Sequence, residues 1–223
     1  MQLVIGNKNY SSWSMRPWVL MREAGIAFDE VQLKFDESSG GLKVAGIERY
    51  GVAGKVPVLV IDGEPVWDSL AIAETLAELH REKQLWPADA RARQVARSIC
   101  AEMHSGFQAM RSAMPMNIRT RYPGKGMNPN SRCDIDRVLA LWSSCRERFG
   151  HGGALLFGRF SIADAYYAPV VMRFRAYAVE LPSAAQTYCD AVLALKGVRE
   201  WMEGAMRETE FVAEDEPYAP RHR

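Results

Sequence analysis

The chain has four cysteines in 223 residues, and none forms a Cys-x-x-Cys pair. Cys100, Cys133, Cys145 and Cys189 are scattered, which argues against both a redox dithiol and a zinc knuckle. The four histidines show no ligand spacing either, so no metal is expected. Charge of one sign is missing as well: 28 basic residues stand against 27 acidic ones, a net charge of +1 with no long run of either. That balance gives no electrostatic grip on nucleic acid or anionic lipid. No apolar stretch approaches the roughly 20 residues of a membrane span, and no charged-then-apolar leader precedes Gln2-Leu3-Val4-Ile5. A cytoplasmic, reducing setting is the expectation. Internal repeats and low-complexity tracts are absent too.

What is present changes period near residue 89. Before it, short β-branched runs alternate with helical patterns. Leu3–Ile5 reads as a strand, Tyr10–Ser14 as a loop feeding a helix through Met21, and Phe28–Leu33 as a second strand. Strand, helix and strand in that order make a βαβ unit with parallel strands. The segment 36–50, with Gly40, Gly41 and Gly46, is too glycine-rich for a helix and reads as a mobile loop holding one irregular turn. Val58–Ile61 is a continuous branched and Leu run, as in a strand covered on both faces. Asp62-Gly63 then marks a hairpin turn, with Pro65 opening an edge strand Val66-Trp67. Asp68 and Ser69 precede an apolar helical pattern and suit its cap.

From residue 89 the period is 3.6. Val95, Ile99, Met103, Phe107, Met110 and Met114 fall on one expected long helix that Pro115 stops. A loop over 116–130 leads to a second helix through Phe149, and Ser161-x-x-Asp164 opens a third. Two more helices follow over 183–195 and 197–206, then an irregular tail. The expected domains are 1–80, an α/β unit, and 89–223, all-helical, joined by a polar linker at 81–88.

The order Lys55-Val56-Pro57, β-run, hairpin, Asp68-Ser69, Leu70-Ala71-Ile72 resembles the glutathione-binding half of glutathione transferases. Ser11-Ser12-Trp13-Ser14-Met15-Arg16 resembles the Ser-Ser-x-Ser-x-Arg segment of serine-type, zeta-like members, with Trp13 where those have cysteine. The resemblance implies a thioredoxin-like domain plus a helical bundle, a cis bond before Pro57, and a cytoplasmic homodimer that acts in detoxification. It implies glutathione as co-substrate, bound along the Val56 backbone, with Lys55 at its glycine carboxylate and Asp68 and Ser69 at its γ-glutamyl end. Ser11, with Ser12 as rival, would stabilise the thiolate. A small hydrophobic electrophile would then sit against Met103, Phe107, Met110, Met114 and Tyr166. Arg111, Arg119 and Arg121 are candidates for an acidic co-substrate. Glutathione-dependent cis-trans isomerisation of the maleylacetoacetate type and a non-catalytic binding module are the alternatives.

Overall fold

A computed structural model describes residues 1–35, 43–50 and 54–220. Four strands, β1 (Gln2–Ile5), β2 (Asp29–Gln32), β3 (Val58–Ile61) and β4 (Glu64–Val66), form one sheet in the order β2-β1-β3-β4. The β1–β2 pair is parallel, and β1–β3 and β3–β4 are antiparallel. Alternation along each strand sends side chains to opposite faces. Leu3, Ile5 and Leu59 join the main core, whereas Val4 and Val58 pack with Val44 and Ile47 on the other face. This is the two-sided burial that the unbroken run of β3 requires. Asp62 and Gly63, at φ 51° and 90°, make the two-residue turn whose twist matches a hairpin.

Helix α1 (Ser12–Ala24) connects β1 to β2, and α2 (Ser69–Leu79) follows β4. The helical part comprises α3 (Ala90–Ser105), α4 (Gln108–Ala113), α5 (Pro129–Phe149), α6 (Ile162–Tyr177), α7 (Ser183–Ala194) and α8 (Lys196–Arg207). This is a thioredoxin-like sheet unit followed by a helical bundle. The join is proposed at 81–88, but the segment is no free linker: Leu85 and Trp86 are buried, and Ile162 N–H donates to Leu85 C=O at 2.9 Å. All residues of α6 except Arg175 are shielded from solvent, so it is the axis of the molecule. It packs on α1 and on α3, which ties the sheet unit to the bundle.

Several boundaries differ from the sequence expectation. Helix α1 starts at Ser12, so Pro17 lies inside it instead of in a first turn. Strand β4 begins at Glu64, which puts Pro65 in its middle and leaves Trp67 outside, 44% exposed. An edge position tolerates that proline because its missing N–H faces away from the ladder. The expected single helix through Met114 is two. Gly106 and Phe107 break it, with Phe107 at φ 58° and no room for a Cβ on Gly106, which would meet Glu102 O at 2.8 Å. The apolar spacing continued across the break and hid it. Pro129, read as loop, is the first residue of α5 behind an Asn128 cap, a position where its missing N–H costs nothing. Of the glycine-rich loop, 36–42 lie outside the described residues, and Ile47–Arg49 form a single 3-10 turn. Among the described residues no helix is long and apolar enough to cross a membrane.

Candidate active site

The N-terminus of α1 and the turn before β3 face each other across a cleft of about 410 Å³, lined by Ser11, Ser12, Trp13, Lys55 and Val56 on the sheet side. Ser11 caps α1: its oxygen accepts Ser14 N–H at 3.3 Å, and its hydroxyl donates to Ser14 Oγ at 2.7 Å. Ser14 Oγ in turn accepts Gly6 N–H at 3.1 Å, so a chain of hydrogen bonds runs from the end of β1 to the cleft. Ser12 belongs to a different network. Its oxygen accepts from Arg173 Nη2 at 3.3 Å, across from α6.

Val56 precedes a cis bond to Pro57, as expected for the turn, and among the described residues its peptide groups take no backbone partner. An extended peptide laid beside it would meet a donor and an acceptor that no described residue takes. Lys55 is exposed on the rim. Asp68 and Ser69 lie outside this lining. Asp68 is exposed and caps α2, accepting Leu70 N–H at 3.0 Å, and its other oxygen lies 3.0 Å from His104 Nε2. His104 packs edge-on against Trp13 at 5.1 Å, which links Asp68 to the cleft wall. Ser69 is fully buried, with Arg16 Nη1 at 3.5 Å and Tyr166 Oη at 3.2 Å from its hydroxyl. That hydroxyl is engaged by Arg16 and Tyr166 and shielded from solvent.

The expected apolar pocket is not where the stripe predicts it. Met103, Phe107, Met110, Met114 and Tyr166 are all buried in the main core, none more than 6% exposed, and none lines the cleft. A stripe at helical spacing buries whichever face the bundle covers, and here α5 and α6 cover it. What the cleft offers instead is positive charge. Arg111, half-buried, stacks over Trp13 at 4.7 Å and lines the wall. Arg173, 5% exposed, is anchored by Met114 C=O at 2.9 Å. Burial, with Arg111 and Arg16 nearby, depresses its pKa to about 9. Arg16 is buried between the rings of Trp13 and Tyr166, at 4.2 and 4.6 Å, and burial lowers it to about 10. Arg111 and Arg173 in the lining, with Arg16 and Arg111 both stacked on Trp13 and no carboxylate within 4 Å of any of the three guanidinium groups among the described residues, favour an anion in the cleft.

Of the other arginines expected to meet an acidic co-substrate, Arg119 is spent on Tyr10 Oη and on the carbonyls of Glu208 and Glu210, and Arg121 on Thr120 C=O. Sequence reading missed Arg173, Glu214 and Asp215, which also line the cleft. The signal for Arg173 was a cation set between Met172 and Phe174 on a largely apolar helix. Among the described residues no cluster suited to a metal ion occurs.

Comparison with known proteins adds the following. The family model described as glutathione S-transferase, N-terminal domain, matches residues 10–79, and that for the C-terminal domain matches 88–204. A probable maleylacetoacetate isomerase of Caenorhabditis elegans is 33% identical over 172 residues, covering 76% of this chain and 77% of its own. A maleylacetoacetate isomerase of Dictyostelium discoideum is 27% identical over 114 residues, 51% of this chain and 52% of its own. Among solved structures, a Burkholderia glutathione transferase homolog with bound glutathione superposes with a TM-score of 0.71 at 20% identity, over 93% of this chain and 98% of that one. A diazinon-metabolizing glutathione S-transferase of the silkworm Bombyx mori gives 0.69 at 14% identity, over 93% and 98%. At these identities the structural likeness speaks for the fold alone.

Proposed function

Because the chain belongs to the glutathione S-transferase family, we propose that it is an enzyme that binds glutathione, holds its sulfur as thiolate at the N-terminus of α1, and conjugates it to a small electrophile. The supporting observation is the cleft that sets Ser11 and Ser12 opposite Val56, whose backbone pairs with none of the described residues. The cysteine peptide unit of glutathione would pair with Val56. Lys55 would take the glycine carboxylate, and Asp68 with the first N–H groups of α2 the γ-glutamyl end. A homodimer is proposed on family grounds.

The thiolate needs modest help. Bringing a thiol from about 8.5 to about 6.5 takes roughly 2.7 kcal/mol. A hydroxyl donated to a charged acceptor contributes about 1.5–3 kcal/mol, and a helix N-terminus about 0.3–1. A thiolate is a stronger acceptor than Ser14 Oγ and would turn the Ser11 proton toward itself. Ser14, whose oxygen already takes Gly6 N–H, then donates to Ser11 and reinforces it. No general base is required. Ultraviolet thiolate absorbance on titration with glutathione tests the reading. Binding without that signal would leave a non-catalytic module.

The cationic wall favours an electrophile that carries an acidic group. It also supports a second reading, cis-trans isomerisation of an acidic alkene, which accords with the names of the two isomerase relatives. Arg111→Gln is expected to raise KM for an acidic electrophile about tenfold, the loss of one charge-assisted bond. KM for an uncharged aryl halide should hold. Steady-state kinetics on both substrates checks this, and equal shifts would count against anion recognition by Arg111.

A further inference from the structure

The chain after α8 returns across the cleft and is pinned there. Glu208 accepts Lys8 N–H and Asn9 N–H at 2.5 and 2.9 Å. Farther on, Glu216 accepts the phenols of Tyr10 and Tyr122 at 2.7 and 2.6 Å, and Tyr218 Oη donates to Ala113 C=O at 2.9 Å. Between these anchors the 3-10 turn Ala213–Asp215 places Asp215 in the wall of the cleft that holds Ser11 and Ser12. Three successive acids thus have different fates. Glu216 is a structural acceptor and Glu214 is exposed, while Asp215 is partly buried and its side chain makes no hydrogen bond or ion pair among the described residues.

Arg173 on α6 is the cation Asp215 feels, and it also donates to Ser12, so carboxyl, guanidinium and serine lie along one cleft. The other groups facing Asp215 are Glu214 and Glu216 on its own segment, Tyr177 on α6, and Arg111 on α4 across the cleft. Burial outweighs Arg173 and pushes the Asp215 carboxyl up to about 6.

We propose that Asp215 is the proton donor to the second substrate when the glutathione sulfur adds across an activated double bond. This rests on the glutathione reading above. In the step the thiolate forms a C–S bond at the β-carbon, and the π pair of the alkene moves onto the α-carbon and its carbonyl. The Asp215 proton passes to the α-carbon, leaving a neutral adduct and an aspartate that water reprotonates. Substitution on an aryl halide needs no such proton, because the halide leaves with the electron pair.

The test uses the full chain with glutathione, an activated enone and a chloronitrobenzene. In Asp215→Asn the ratio of enone addition to aryl substitution should fall about 10- to 100-fold, within the range of general-acid effects. In the unaltered enzyme enone activity should be bell-shaped, rising as the bound thiol ionises and falling above about 6 as Asp215 loses its proton, whereas aryl substitution should show the rising limb alone. The asparagine variant should lack that falling limb, and Asp215→Glu should restore part of the ratio. An unchanged ratio, or a falling limb that survives in Asp215→Asn, overturns the assignment. Absence of thiolate absorbance in the unaltered protein would instead remove the glutathione reading beneath it.

Discussion

Replacing Ser11 by alanine is expected to lower kcat/KM for glutathione conjugation about 10- to 100-fold and to raise the pKa of the bound thiol by one to two units. The size follows from one hydroxyl-to-thiolate bond of about 1.5–3 kcal/mol, at 1.36 kcal/mol per pKa unit. Ser11 is also the cap of α1, so the alanine variant loses a further ~1 kcal/mol of stability. Thiolate absorbance against pH at saturating glutathione separates the two effects, because a lost cap leaves the titration midpoint alone. Ser11→Thr keeps the hydroxyl and should retain most activity. Ser14→Ala breaks the chain from Gly6 and should give an intermediate shift. If Ser12→Ala moves the midpoint and Ser11→Ala does not, the thiolate donor is Ser12, working with Arg173.

Asp164→Ala should be the most destabilising of these substitutions, by about 3–5 kcal/mol in chemical denaturation. The carboxyl is fully buried at the head of α6 and accepts Ser161 N–H at 2.9 Å, Ser161 Oγ at 3.1 Å and Leu156 N–H at 3.1 Å. Alanine would leave three donors without an acceptor, each worth about 1–3 kcal/mol when stranded away from water. Since α6 joins the sheet unit to the bundle, the loss should appear as one shifted transition with an unchanged slope. Burial pushes this carboxyl up to about 6 despite the donors around it. An unfolded aspartate ionises near 3.9, so below that pH both states are protonated and the contribution of this group is complete. It declines as pH rises from about 4 to about 6 and is level above. Asp164→Asn should lose that decline, and a stability profile unchanged across this window would contradict the assignment.

Much of the fold was legible because it is written in local patterns. The β3 run, the Asp62-Gly63 turn and the Ser161-x-x-Asp164 box each need only neighbouring residues and stand where the pattern puts them, and of the cap candidates offered the structure uses Ser11 for α1 and Asp68 for α2. The break at Gly106-Phe107 was lost because apolar spacing reports which face is buried, not whether the axis continues. Spacing is also silent on what does the burying, which is why Met103, Met110 and Met114 resemble a pocket lining in sequence and lie in the core in space.

The sequence by itself carried the resemblance to the family, the sheet unit followed by helices, and the serines that open α1: motif likeness carries the first, and short-range spacing and side-chain chemistry carry the others. The tertiary structure alone decided the character of the cleft. Arg173 arrives there from α6 and Asp215 from the tail, 161 residues and more from Ser12 along the chain. No local pattern records such a meeting, because it is set by how helices pack and where the last segment is pinned.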